Sequence, residues 1–167
     1  MILVNYLLVF ATALIPIAVG FVWYHNAVFG KTWFKVAGMS EEKIKSGNML
    51  LILGLSYVLG LMISAAMMSW SIHQLTTQSL FATQEGFSAQ TGPYYEYFQN
   101  FMNQYGDLHR SFGHGAVHGA FAGIMIALPI VAINALFERR GWKYIAIHAG
   151  YWVVTLLLMC GTLCAFA

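Results

Sequence analysis

The sequence predicts an all-α integral membrane protein, with four transmembrane helices and short interfacial or amphipathic helices in its inner and outer loops. Three observations predict it. Only 8% of the 167 residues are charged while 59% are hydrophobic, against about 25% charged in soluble domains, so a water-facing surface cannot be covered. The charges are also bunched. They leave four uncharged stretches, Met1–Gly30, Gly47–Gln84, Ser111–Phe137 and the chain after Lys143, each able to hold the ~20 apolar residues that cross a bilayer. Lastly, most of the basic residues fall in the two short gaps between these stretches.

Residues 1–167 read as a single domain with spans at about Leu3–Trp23, Met49–Trp70, Phe112–Phe137 and Tyr144–Phe166. The first has no basic leader and no Ala-x-Ala-like cleavage site, so it reads as a retained span rather than a signal peptide. After it, "KTWFKVAGMSEEKIKSGN" mixes Trp33, Phe34 and Val36 with lysines, the composition of a short helix lying in a membrane interface. Ser40 followed by Glu41 and Glu42 resembles a capped helix start. The long loop 71–111 opens with a Gln-, Ser- and Thr-rich tract up to Gly92. "PYYEYFQNFMNQYG" follows, with Pro93 at a helix start and aromatic residues throughout; it reads as an amphipathic helix on the outer surface or over the bundle. Pro129 is expected to kink the third span.

Orientation follows from the basic residues. Lys31, Lys35, Lys43, Lys45, Arg139, Arg140 and Lys143 fill the two short loops, while the long middle loop has only Arg110, beside Glu85, Glu96 and Asp107. Positive loops stay cytoplasmic, so the middle loop and both termini are placed outside. Trp23, Tyr24, Trp33, Trp142 and Tyr144 then form the inner aromatic belt. The net charge of +2 serves orientation, and no nucleic-acid partner is expected. Ser56, Gly60 and Ser64, and likewise Gly115, Gly119 and Gly123, recur every four residues. Such small-residue stripes let helices approach closely, within one chain, in a homo-oligomer or with a membrane partner.

The stretches "LVNYLLVFATALIPIAVGFVWYHNAVFGKTWFKVAGMSEE" and "NALFERRGWKYIAIHAGYWVVTLLLMCGTLCAF" carry a resemblance. Through Val4-Asn5-Tyr6, Trp23-Tyr24, Phe29-Gly30-Lys31 with Trp33, Leu136-Phe137-Glu138 and Gly150-Tyr151-Trp152, the chain resembles a family of small bacterial membrane proteins known as domain of unknown function seventeen-sixty-one. The resemblance covers these two parts and the Gly-rich start of the third span. It implies a bundle of four spans and supplies no activity, substrate or catalytic residue. The long outer loop departs from the pattern, as does His148, where asparagine is expected.

Ionisable groups inside a membrane are costly and are functional candidates by default. "HRSFGHGAVHGAFAG" places His109, His114 and His118 at the start of the third span. Asp107, Ser111, His114 and His118 lie on one stripe if the helix already runs at residue 107. His114 and His118, one turn apart, are spaced to share a zinc-type divalent ion, with Asp107 as a third ligand and His73, at the end of span two, as a further one. His109 lies about 140° around from His114 and joins only if the helix starts after it. Hydrogen bonding at the interface and proton transfer are the alternative readings. His148 is expected to be buried among the helices, His25 to be interfacial, and Cys160 and Cys164 to be packing residues. Asn5 and Asn134 are expected to form interhelical hydrogen bonds. No phosphate loop, nucleophile elbow or paired-carboxylate arrangement is present. The first functional expectation is therefore a non-enzymatic interaction or accessory subunit without a cofactor. The alternative is an outward-facing metal-binding or transport protein using His114 and His118.

Overall fold

The computed structural model describes residues 4–167; Leu3, where the first span was expected to begin, lies outside them. All regular structure among the described residues is helical. The elements are α1 (Leu7–Thr12), α2 (Ile15–Trp23), α3 (Gly30–Val36), α4 (Glu41–Ser46), α5 (Met49–Ser71), α6 (His73–Phe81), α7 (Gly92–Tyr105), α8 (Phe112–Ala122), a π-helical turn (Gly123–Ala127), α9 (Leu128–Phe137) and α10 (Trp142–Phe166). Three stretches are long and apolar enough to cross a membrane: α5, the continuous Phe112–Phe137 and α10. Leu7–Trp23 is apolar but shorter.

The first stretch is short because it is broken. Pro16 stands in the first turn of α2, has no N–H to offer Thr12, and its ring crowds that residue's carbonyl, so the helix restarts. The break is a contact point. A Cβ on Gly60 would lie 2.5 Å from the Ala13 carbonyl oxygen, so α5 reaches the break only as glycine. One turn further along α5, Ser64 shares a 2.7 Å hydrogen bond with Thr12. Asn5 does not bridge helices. Its Oδ1 accepts from the Leu7 N–H at 3.2 Å, locally, at the start of α1.

In α10, 44% of the most apolar window is buried, against 11% in α5 and 17% in Phe112–Phe137, so the other helices gather around α10. The face of α8 bearing Gly115, Gly119 and Gly123 lies against it. A Cβ on Gly115 would strike Cys160, one on Gly119 the Leu156 carbonyl, and one on Gly123 would lie 2.6 Å from Val153 Cα. The pairing runs antiparallel, 115 with 160 and 123 with 153. Pro129, which cannot donate to Met125, stands in the first turn of α9, two residues after the π-helical turn. The disturbance the proline causes is thus taken up as one wide turn.

Two ends result. At the basic end, Trp23 Nε1 donates to the Ile147 carbonyl at 3.0 Å, and Tyr151 donates to the Pro16 carbonyl at 2.8 Å. Tyr24 Oη meets His148 Nδ1 at 3.1 Å. Burial, with Tyr151 and Tyr144 beside it, pushes the Tyr24 phenol well above its ordinary range, so it stays neutral. His148 is half-buried among helices but takes Tyr24 as its partner. The aromatic residues expected as membrane anchors thus also tie α2 to α10. Ser40 Oγ accepts from the Lys43 N–H at 3.2 Å and caps α4.

At the other end, Val9, Ile72, Met159 and Leu163 form a buried floor. Above it the polar tract after α5 is helical as α6. Pro93 opens α7 as its sequence implies, and α7 packs on α6 through Phe98, whose ring lies 6.2 Å from Phe81 and 5.4 Å from Phe87.

Candidate metal centre

The centre is built where three chain segments meet. α5 ends at Ser71, and the single extended residue Ile72, fully buried, separates it from α6. That one-residue break turns the chain so that His73, the first residue of α6, meets the start of α8. There Ser111 is the N-cap, its Oγ accepting from the His114 N–H at 3.3 Å. The helix therefore starts after His109, and His114 and His118 project one turn apart from its first two turns.

The three imidazoles converge. His114 Nε2 lies 3.0 Å from His73 Nε2 and 3.0 Å from His118 Nε2, and one ring nitrogen of each lies within 4.8 Å of the others. His73 is exposed; His114 and His118 are half-buried. An imidazole nitrogen carries either one proton or one in-plane lone pair. His114 Nε2 can therefore make one good hydrogen bond and not two. A cation at the centre would let all three direct lone pairs at one point. Zinc–nitrogen bonds of 2.0–2.1 Å in a tetrahedron place nitrogens about 3.3 Å apart, close to the two separations of 3.0 Å found at His114.

Residues without a sequence motif hold this arrangement. Trp70 Nε1 donates to the His118 carbonyl at 3.3 Å, tying α5 to α8. Gln74 is buried next to His73, and its Nε2 donates to the carbonyls of Tyr105 at 3.0 Å and Leu108 at 2.8 Å. Arg110 Nε donates to the Cys164 carbonyl at 2.9 Å, and its Nη2 donates to the Ala167 carbonyl, so the turn before α8 is fastened to the last turn of α10. A charge-assisted bond to free carbonyls at a helix C-terminus is favourable. The available signal was Arg110 itself, the lone basic residue of a long loop; nothing distinguished Gln74.

A family profile described as protein of unknown function (DUF1761) matches residues 7–164. The chain belongs to that family. The match to this DUF1761 chain runs from α1 through the middle loop to α10. No curated protein matches it, and no solved structure does.

Within this DUF1761 protein the other predicted site residues fall differently. Asp107 is exposed in the turn before α8 and lies outside the group of mutually reachable ligand atoms. The stripe through residues 107, 111, 114 and 118 needed a helix that the Ser111 cap begins too late to provide. His109 instead comes close: its ring stacks on His114 at 4.6 Å and stands edge-on to His73 at 6.2 Å. Cys160 and Cys164 are buried, free and packed on Gly115. His25 stays local, its Nδ1 accepting from the Ala27 N–H at 3.2 Å.

Proposed function

We propose that this DUF1761 protein is a non-enzymatic, four-span protein of the bacterial cytoplasmic membrane that binds a zinc-type divalent cation outside, at His73, His114 and His118. The observation that carries the reading is the pair of 3.0 Å approaches to His114 Nε2, which hydrogen bonding alone cannot satisfy together. Leu7–Trp23 supplies the fourth span. At 1.5 Å per residue it is about 25 Å long, a mismatch that costs only fractions of a kcal/mol per Å. The basic residues of the two short loops put the histidine end outside. Asp107, exposed at the same mouth, adds negative charge near the ion rather than a bond.

Binding is favoured over transport by what lies deeper. Among the described residues, the fully buried polar side chains between the cluster and the basic end are the hydroxyls of Thr12, Ser64 and Thr155, and the next imidazole, His148, lies beyond them at the basic end, paired with Tyr24. A cation path needs charged or imidazole groups continuing inward. The accessory-subunit reading loses a support, since the Gly115–Gly123 face is taken up by α10 of the same chain. Purified wild type is expected to hold stoichiometric zinc in detergent. His114→Ala/His118→Ala should bind it roughly 100-fold or more weakly. Equal, sub-stoichiometric zinc in both proteins would reduce the stretch to a packed helix mouth.

A further inference from the structure

We propose that His109 is the fourth, exchangeable ligand of the cation held by His73, His114 and His118. Rotation of its side chain closes the site to four nitrogens and opens it to water. The inference rests on the proposed metal site, and adds its coordination number and the way an ion is admitted.

Three histidines leave one position of a tetrahedral ion unfilled. Among the described residues no carboxylate or cysteine joins their group, and the ring nitrogens of His109 stand outside it in this conformation, so a fourth ligand has to arrive by movement. His109 is the group at hand. A ligating ring has its centroid about 3.2 Å from the ion, the bond length plus the ring radius. The His109 ring, 4.6 Å from that of His114 and nearly parallel to it at 18°, is within a side-chain rotation of such a position.

The backbone is already set for this. His109 has φ +63, the left-handed conformation that most side chains avoid but histidine tolerates better than most. It is held there from two directions. Its carbonyl accepts from Cys164 Sγ at 3.2 Å and from the Ser111 N–H at 3.0 Å, while Arg110 fastens the next residue to α10. The ring can therefore move while its anchor stays fixed. A cleft of about 240 Å³, lined by His73, Gln74, Phe101, Tyr105, Leu108 and His109, adjoins the cluster. It gives the ring room to swing out and an ion a way past it.

Cobalt(II) serves as the probe, added to the full chain in detergent, with visible absorption reporting its ligands. His109→Asn and His109→Gly are the variants, because both residues accept the left-handed conformation. Wild type is expected to bind cobalt with a spectrum that added imidazole leaves unchanged. The variants should bind it roughly tenfold or more weakly, and imidazole should restore the wild-type spectrum in them. A wild-type spectrum that shifts with imidazole overturns the proposal, as do variants that match wild type in spectrum and affinity; both results leave the three-histidine site standing. Failure of wild type to bind cobalt overturns both readings.

Discussion

At the residue scale, Gln74 and His73 are sequence neighbours with opposite environments. Gln74 is 4% exposed and donates its amide to the Tyr105 carbonyl at the end of α7 and to the Leu108 carbonyl in the turn that precedes α8. His73 is exposed and spends its ring on the cluster. Truncating them should therefore separate fold from site. Gln74→Leu strands two carbonyls beside an apolar side chain, at a cost of about 1–3 kcal/mol. Thermal unfolding in detergent should show a lowered midpoint, and zinc affinity should fall because the turn loosens. His73→Ala should lose zinc affinity with little change in the zinc-free midpoint. An unchanged midpoint in Gln74→Leu would mean the turn is held by Arg110 alone.

The same logic at the element scale separates the glycines. On α8, a Cβ at Gly119 would meet the Leu156 carbonyl and lie 2.8 Å from Leu157 Cα. Backbone cannot step aside as a side chain can, so α8 and α10 must part. Gly119→Leu is expected to destabilise by about 1–3 kcal/mol or more, and to weaken zinc binding, because the parted helix carries His114 and His118. On α5, a Cβ at Gly54 would meet nothing within 4 Å. Gly54→Ala should be neutral or gain up to about 1 kcal/mol from helix propensity. Thermal melts of both variants check the contrast; equal loss in the two would show that the glycines act through flexibility rather than contact.

At the scale of the whole molecule, the proposed orientation rests on the arrangement of charge. The basic loops lie at one end and the histidine cluster at the other, about the length of α5 away. Ser46 and Ser88 are exposed on opposite sides of that divide, and both native cysteines are buried. Ser88→Cys should react with a membrane-impermeant maleimide in intact cells, while Ser46→Cys should react only after the membrane is opened. The reverse pattern would put the histidine site inside and exclude an external source for its ion.

Much of this was legible without coordinates. Long uncharged stretches bounded by basic residues fix α5, Phe112–Phe137 and α10 to within two residues, because the cost of burying charge in lipid is severe and local. Capping is equally local, so Ser40 and Pro93 announced the starts of α4 and α7. The histidines at 114 and 118 were visible as a pair by helical spacing. What the sequence could not give was everything that depends on where a chain turns back. The break at Pro16 and the one-residue bend at Ile72 are set by how α1, α2, α5 and α6 pack. So is the late start of α8, which takes Asp107 off the stripe and brings His109 to it. His73 was named as a further ligand from its place at the end of span two, but it lies 41 residues from His114 in the chain, and only packing decides that the two rings meet. Local free energies write the helices into the sequence; the third imidazole is supplied by tertiary packing, which alone brings distant turns together.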